Sequence, residues 1–255
     1  MSKPVRCFLV TDATTPVLTV VQLDDGVSLD RFADWLDGVD VRLVRADLGE
    51  SAGPADALDG LLVLGGQMSA KSNEPGIAET RALLTDAVAA GVPTLGICLG
   101  AQLLAVATGG QVHVAAPPGR ESGIIDVHWR PEALDDELVG GLVDADLPEE
   151  RRATRMPSMH ADAIVDLPRA ARWLAHSRAY PYQAFRVGSA WGVQFHPEAS
   201  PATLHAWASL HDDVDTDAVD AAAAEHDEVV AGAGRVLARA FAGIVVARAA
   251  ERTPA

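Results

Sequence analysis

Cys98 stands in the run Gly96-Ile97-Cys98-Leu99-Gly100-Ala101-Gln102, and His196 stands in Gln194-Phe195-His196-Pro197-Glu198. A thiol, an imidazole and a carboxylate are the parts of a nucleophile, its base and the group that orients the base, the set used for acyl transfer through a covalent intermediate. An apolar strand over residues 94–97 runs into Cys98 and a helix begins at once, so the thiol rides on a sharp strand-to-helix turn whose glycines leave room for the neighbouring elements. A helix N-terminus favours the thiolate, and the Leu99 N–H points toward an oxyanion formed beside the sulfur. A second strand, residues 190–195, delivers His196 and is stopped by Pro197. Glu198 lies two residues on, close enough to hold the imidazole. Each segment alone has a plainer reading: Cys98 as a small buried residue, His-Pro-Glu as an exposed strand end. The weight comes from the pairing, because two strand ends of an open α/β sheet open onto one edge even when, as here, they lie 98 residues apart.

The elements that must position these groups alternate. Strands are expected at 6–10, 39–44, 61–64 and 94–97, with helices at 29–36 (Ser28 as N-cap), 77–90 (closed by Gly91 and Pro93) and 102–107 (stopped at Gly109-Gly110). This rhythm implies an α/β fold, a mainly parallel open sheet with helices on both faces. Further strands are expected at 112–114, 124–129, 171–175, 183–187 and 190–195, the last two joined at Gly188-Ser189 as a hairpin. Residues 132–150 read as an exposed helix and loop. From residue 218 onward the spacing predicts one long helix, with Gly232 and Gly234 as weak points. The expected division is a catalytic domain at 1–210 and an acidic linker with a helical extension at 211–255.

The two motifs, GICLGAQ and QFHPE, stand in the order and on the elements of the class I (triad) glutamine amidotransferases, and the chain resembles that family over roughly residues 5–200. LVLGGQMSA (62–70), RESGI (120–124) and MHADAIVDLP (159–168) are similar to segments of its GMP-synthase-like members. The resemblance implies a flavodoxin-like sheet and a stand-alone glutaminase. Cys98 would attack the side-chain amide of L-glutamine, His196 would shuttle the proton, and Glu198 would orient His196. The N–H groups of Gly66 and Leu99 would bind the oxyanion, and Gly65, Gln102 and His160 would contact the substrate. The sequence departs from the family at Gln67, where Gly-Gly-Pro is frequent, and at Ala161, where Gly is. No second catalytic domain or nucleotide motif is present, so an acceptor or synthetase subunit would be a separate polypeptide. A γ-glutamyl peptide hydrolase of the same superfamily, or a catalytically silent regulatory subunit, are the alternatives.

Composition narrows the remainder. Hydrophobic residues make up 49% and charged residues 22% of the 255, an ordinary globular balance. The net charge of −16 argues against nucleic acid and anionic lipid as partners. It resides in two segments, 131–150 and 211–228, each with eight acids and no base. Both are candidate docking surfaces for an acceptor enzyme, though solvation of exposed helices accounts for them as well. Two cysteines exclude a disulfide scaffold and four-cysteine zinc sites. Cys7 is expected in the core, and no histidine spacing suggests a metal, so neither metal nor cofactor is expected. No export signal and no uninterrupted apolar run of spanning length is read, which places the expected site of action in the cytoplasm.

Overall fold

The computed structural model describes residues 15–252; the expected strand at 6–10 and Cys7 lie outside them. The strands are β1 (Val17–Gln22), β2 (Asp40–Arg45), β3 (Gly60–Val63), β4 (Thr94–Ile97), β5 (Gln111–His113), β6 (Glu121–Trp129), β7 (Ala153–His160), β8 (Ala163–Asp166), β9 (Arg172–His176), β10 (Ala184–Val187) and β11 (Ala190–Val193). The α-helices are α1 (Ile77–Ala89), α2 (Leu99–Ala107), α3 (Pro201–Ala208) and α4 (Thr216–Arg252).

Among the described residues, nine strands form one sheet in the order β2-β1-β3-β4-β11-β10-β9-β6-β7, and β5 pairs with β8 apart from it. The strands from β2 to β11 run parallel, while β10, β9, β6 and β7 continue the sheet antiparallel. Every residue of β3 and β4 is buried, as expected of parallel strands covered on both faces. Alternate residues serve opposite faces. Leu61 and Val63 join α1 and α2 in one core through Leu84, Leu103 and Leu104, whereas Leu62 and Leu64 join α3 and α4 in the other through Leu204, Leu237 and Phe241. This is the α/β architecture the sequence predicts, with helices on both faces.

Helix α4 lays one stripe on the sheet, from Val219 and Ala223 through Val230, Gly234 and Leu237 to Phe241 and Val245. Two glycines let it approach closely. A Cβ on Gly60 would lie 2.5 Å from the Val245 side chain, and one on Gly234 would overlap the Pro197 carbonyl oxygen. By length and composition α4 is also long and apolar enough to cross a membrane. A count of uninterrupted apolar residues misses this, because Arg235 and Arg239 break the run.

The structure departs from the expected elements in several places, with β8 and α3 among the unexpected elements. Residues 29–36 form a 3-10 turn, Asp30–Asp34, because the Asp30 carboxylate is drawn to the Ser200 N–H and the Thr203 hydroxyl, both at 2.6 Å, and holds its backbone at φ 43°. Residues 132–150 hold three 3-10 turns in place of an α-helix, consistent with Gly140-Gly141 and Pro148 in the segment. One of its acids, Asp136, is buried, accepting from the N–H groups of Leu138 (3.0 Å) and Val139 (3.2 Å) and from the Trp191 indole (2.9 Å). β1 arises from the apolar run VLTVVQ. β7 carries Pro157, which is compatible with its place at the edge of the sheet.

Candidate active site

The register of three parallel strands assembles the site. Val193 of β11 pairs with Ile97 of β4, and Val63 of β3 pairs with Gly96, so the chain leaves all three strands at one level. β4 passes into α2 without a loop. Cys98 takes up the reversal at φ 50° and ψ −104°, a conformation sparsely populated for a side-chain-bearing residue. Its N–H donates to the Val193 carbonyl at 2.8 Å. The flanking glycines are needed for packing: a Cβ on Gly96 would lie 2.5 Å from the Gly100 carbonyl, and one on Gly100 would overlap the Val63 carbonyl.

His196 follows β11, and its N–H donates to the Pro157 carbonyl of β7 at 2.8 Å. Its Nδ1 lies 2.8 Å from Glu198 Oε1, with both side chains buried. Burial alone would lower the imidazole pKa, but the Glu198 carboxylate and the Cys98 sulfur outweigh it and His196 is pushed up to about 10. Glu198 Oε2 is buried and accepts no hydrogen bond among the described residues, so this carboxylate spends its charge on His196 alone. The Trp207 ring of α3 packs on the imidazole with centroids 4.5 Å apart, and its indole N–H donates to the Gly26 carbonyl at 3.0 Å. The sulfur of Cys98 receives the Gln194 side-chain amide at 3.5 Å and lies 3.9 Å from the Met159 carbonyl.

The loop after β3 closes the second side. A Cβ on Gly65 would lie 2.9 Å from His196 Cε1, and one on Gly66 would lie 2.9 Å from the Leu99 side chain. Asp24 pins this loop by accepting the Gln67 N–H on Oδ2 at 3.0 Å and the Gly26 N–H on Oδ1 at 2.8 Å. The departure at Gln67 thus has a physical role, since a proline there has no N–H to donate.

A cavity of about 170 Å³ is lined by Cys98, His196, Gly66, Gln102 and His160, among others. Glu198, Gly65 and Leu99 are not among its lining residues but adjoin them, Glu198 and Gly65 at His196 and Leu99 next to Cys98 in the chain. Gln102 Nε2 donates to the Asp162 carbonyl at 3.0 Å and to Gln194 Oε1 at 3.3 Å. His160 has both ring nitrogens occupied, Nδ1 by the Asp162 carbonyl at 3.0 Å and Nε2 by Glu121 Oε2 at 3.2 Å. Glu121 in turn accepts from Ser177 and Gln183, each at 2.6 Å. His160 therefore braces the cavity wall. Among the described residues no three His, Cys, Asp or Glu side chains are grouped to hold a metal. Sequence reasoning missed Asp24, Gln194, Trp207 and Glu121. Gln194 opens the QFHPE motif, two residues before His196, but only the strand register brings it to the sulfur.

Residues 36–208 match the family model for glutamine amidotransferase class-I. The chain is 34% identical to one subunit of the glutamine-hydrolyzing GMP synthase of Halobacterium salinarum over 168 residues, covering 65% of this chain and 78% of that one. It is 37% identical over 109 residues to the glutamine-hydrolyzing GMP synthase of Porphyromonas gingivalis, where the match covers 42% of this chain and only 19% of that protein, about a fifth of its length. A solved glutamine amido transferase from Methylobacillus flagellatus superposes with a TM-score of 0.73 at 26% identity, covering 93% of this chain and 94% of that one.

Proposed function

The chain belongs to the class-I glutamine amidotransferase family, and on that premise we propose that it hydrolyses the side-chain amide of L-glutamine to glutamate and ammonia through a thioester on Cys98. The observation that carries this reading is the buried Cys98, His196 and Glu198 set at level strand ends beside a cavity of about 170 Å³.

The Cys98 sulfur adds to the amide carbon, and the carbonyl electron pair moves onto oxygen. The N–H groups of Leu99 and Gly66 receive that oxyanion. The imidazolium of His196, held by Glu198, gives its proton to the departing nitrogen, and the C–N bond breaks to leave ammonia and a γ-glutamyl thioester. Neutral His196 then takes a proton from water, which attacks the thioester and releases glutamate and the thiolate. Gln102 shapes the pocket wall, His160 and Glu121 brace it, and Gly65 leaves room for the imidazole. The intact triad favours this over a silent regulatory role.

The ammonia passes to an acceptor enzyme on another polypeptide. This is supported by the relation to a protein that is itself one subunit of a synthase. The test is release of glutamate and ammonia from L-glutamine, with a glutamine-derived electrophile mapped to Cys98 by mass spectrometry. Absence of both, with and without a partner recovered from the native host, overturns the reading.

A further inference from the structure

A second cavity, of about 500 Å³, lies on the face of the sheet that α1 covers, and it shares no lining residue with the cavity at Cys98. Its volume falls within the ~300–1,000 Å³ usual for small-molecule pockets. β1 and β2 contribute Val21 and Val44, the segment 46–55 forms one wall and α1 the other. Val21, Val44, Ala46 and Ala55 are buried in one core, so the floor is apolar. The walls are fixed. The Glu50 carboxylate accepts the Arg45 N–H at 2.8 Å and the Glu50 N–H donates to the Arg45 carbonyl at 3.1 Å, which ties the loop back to β2. Gly76, at φ 81°, seats the start of α1 so closely that a Cβ there would lie 2.7 Å from the Ala46 carbonyl oxygen.

Two features of this cavity are unanswered within the chain. Thr80 lies on the inward face of α1 with Ile77 and Leu84 and is only 3% exposed. Thr85 turns its hydroxyl back to the Arg81 carbonyl at 3.1 Å, but the Thr80 hydroxyl has no hydrogen-bond partner among the described residues, and Thr80 lines the cavity. The lining also holds three acids, Glu50, Glu79 and Asp86, and no base. None of them belongs to the two acidic segments of the sequence. Glu79 and Asp86 are exposed at the rim, about 10 Å apart along α1, and neither forms an ion pair among the described residues. The cations of β2 are committed elsewhere, Arg45 to Asp47 at 2.6 Å and Asp25 at 2.9 Å, and Arg42 to Thr19 and the Ala52 carbonyl.

From this we infer that the cavity is a binding site for a small primary amine whose short apolar chain ends in a neutral polar group. The chain covers the floor, the polar end pairs with the Thr80 hydroxyl, which can both donate and accept, and the ammonium sits at the rim among Glu50, Glu79 and Asp86. Exposed carboxylates each contribute little, so the buried chain supplies most of the affinity and the rim selects the sign of the charge. A carboxylate ligand would meet three like charges. No group of the triad takes part, so the inference stands apart from the glutaminase reading.

Calorimetric titration, with amide chemical shifts to locate the site, compares three ligands: an aminopentanol with its two groups at opposite ends, pentylamine (no hydroxyl) and a terminal pentanediol (no ammonium). Aminopentanol is expected to bind most tightly and to shift amides within 46–55 and 75–86. Thr80→Val is expected to weaken aminopentanol by about fivefold and to change pentylamine little. Glu79→Gln combined with Asp86→Asn is expected to weaken both amines by about threefold at low salt, less as salt rises, and to change the diol little. Without ligand, Thr80→Val should melt at or above wild type, because an unpartnered buried hydroxyl is costly; a lower melting temperature would show that the fold itself uses the hydroxyl and would overturn the inference. So would equal losses on all three ligands, a diol that binds as tightly as the amines, no saturable binding by any of the three, or shifts confined to the cavity at Cys98.

Discussion

The side-chain amide of Gln194 approaches the sulfur of Cys98 to 3.5 Å, although the two residues lie 96 positions apart. Its other end accepts from Gln102 at 3.3 Å, so the nucleophile, the pocket wall and the strand that delivers His196 share one chain of hydrogen bonds. An amide N–H aimed at sulfur is matched to a thiolate, since hydrogen bonds to charged groups are the stronger ones.

Gln194→Leu removes that donor. A hydrogen bond to a charged group contributes about 1.5–3 kcal/mol, so kcat/KM for glutamine should fall by roughly 10- to 100-fold. Alkylation of Cys98 by iodoacetamide at pH 7 should slow in parallel. Wild-type rates in both assays would mean that the contact has no part in activating the sulfur.

Cys98→Ala should abolish hydrolysis, with a loss of at least about 10⁴-fold, by comparison with removal of other catalytic nucleophiles. Its melting temperature and circular dichroism should stay near wild type, because alanine fills most of the same buried volume. Measurable turnover at the wild-type rate would remove Cys98 from the mechanism.

Glu198→Gln deletes the nearest charge holding the imidazolium. Burial, which lowers the His196 pKa, then loses an opponent that raises it, so the value must drop from about 10. The alkaline limb of kcat/KM should move to lower pH in the variant, and its maximum should fall because His196 loses its orientation. The linked stability has a definite sign. Since the folded pKa lies above the ordinary value of about 6.5, the stabilisation is complete below that pH and is lost as pH rises toward about 10. Thermal melts at several alkaline pH values should decline more steeply in wild type than in Glu198→Gln; parallel slopes would count against the coupling.

Gly232 and Gly234 lie on the same helix and should respond oppositely to alanine. A Cβ on Gly232 meets nothing within 4 Å, so Gly232→Ala should stabilise α4 by up to about 1 kcal/mol. A Cβ on Gly234 collides with the Pro197 carbonyl and comes within 2.9 Å of Trp35. Gly234→Ala should therefore lower both the melting temperature and kcat, since Pro197 links His196 to Glu198. A stabilised, fully active Gly234→Ala chain would show that the helix has room to withdraw.

What was legible in the sequence was what is encoded locally. β4 coincides with its expected span, and the α1 end agrees with its Gly91 and Pro93 stop within one residue. GICLGAQ and QFHPE identified the strand ends that meet. The misses have tertiary causes. Asp30 forms its turn because Ser200 and Thr203, some 170 residues away, claim its carboxylate. Pro157 argues against a strand until β7 proves to be an edge. Asp136 counted as one more solvated acid, yet it caps a buried turn and holds Trp191. Gln194 and Trp207 acquire their places only once the register and the α3 docking are known.

The close seating of α4 on Pro197 also bears on the timing of activity during synthesis. α4 follows Cys98, His196 and Glu198 in the chain, and Asp227 within it ties Arg31 at 2.6 Å beside the loop that holds Glu198. A nascent chain that has emerged from the ribosome only through residue 210 carries the thiol, imidazole and carboxylate but lacks the helix that braces them. Folding in the order of emergence would then leave the braced arrangement of Cys98, His196 and Glu198 to form last, once α4 has docked.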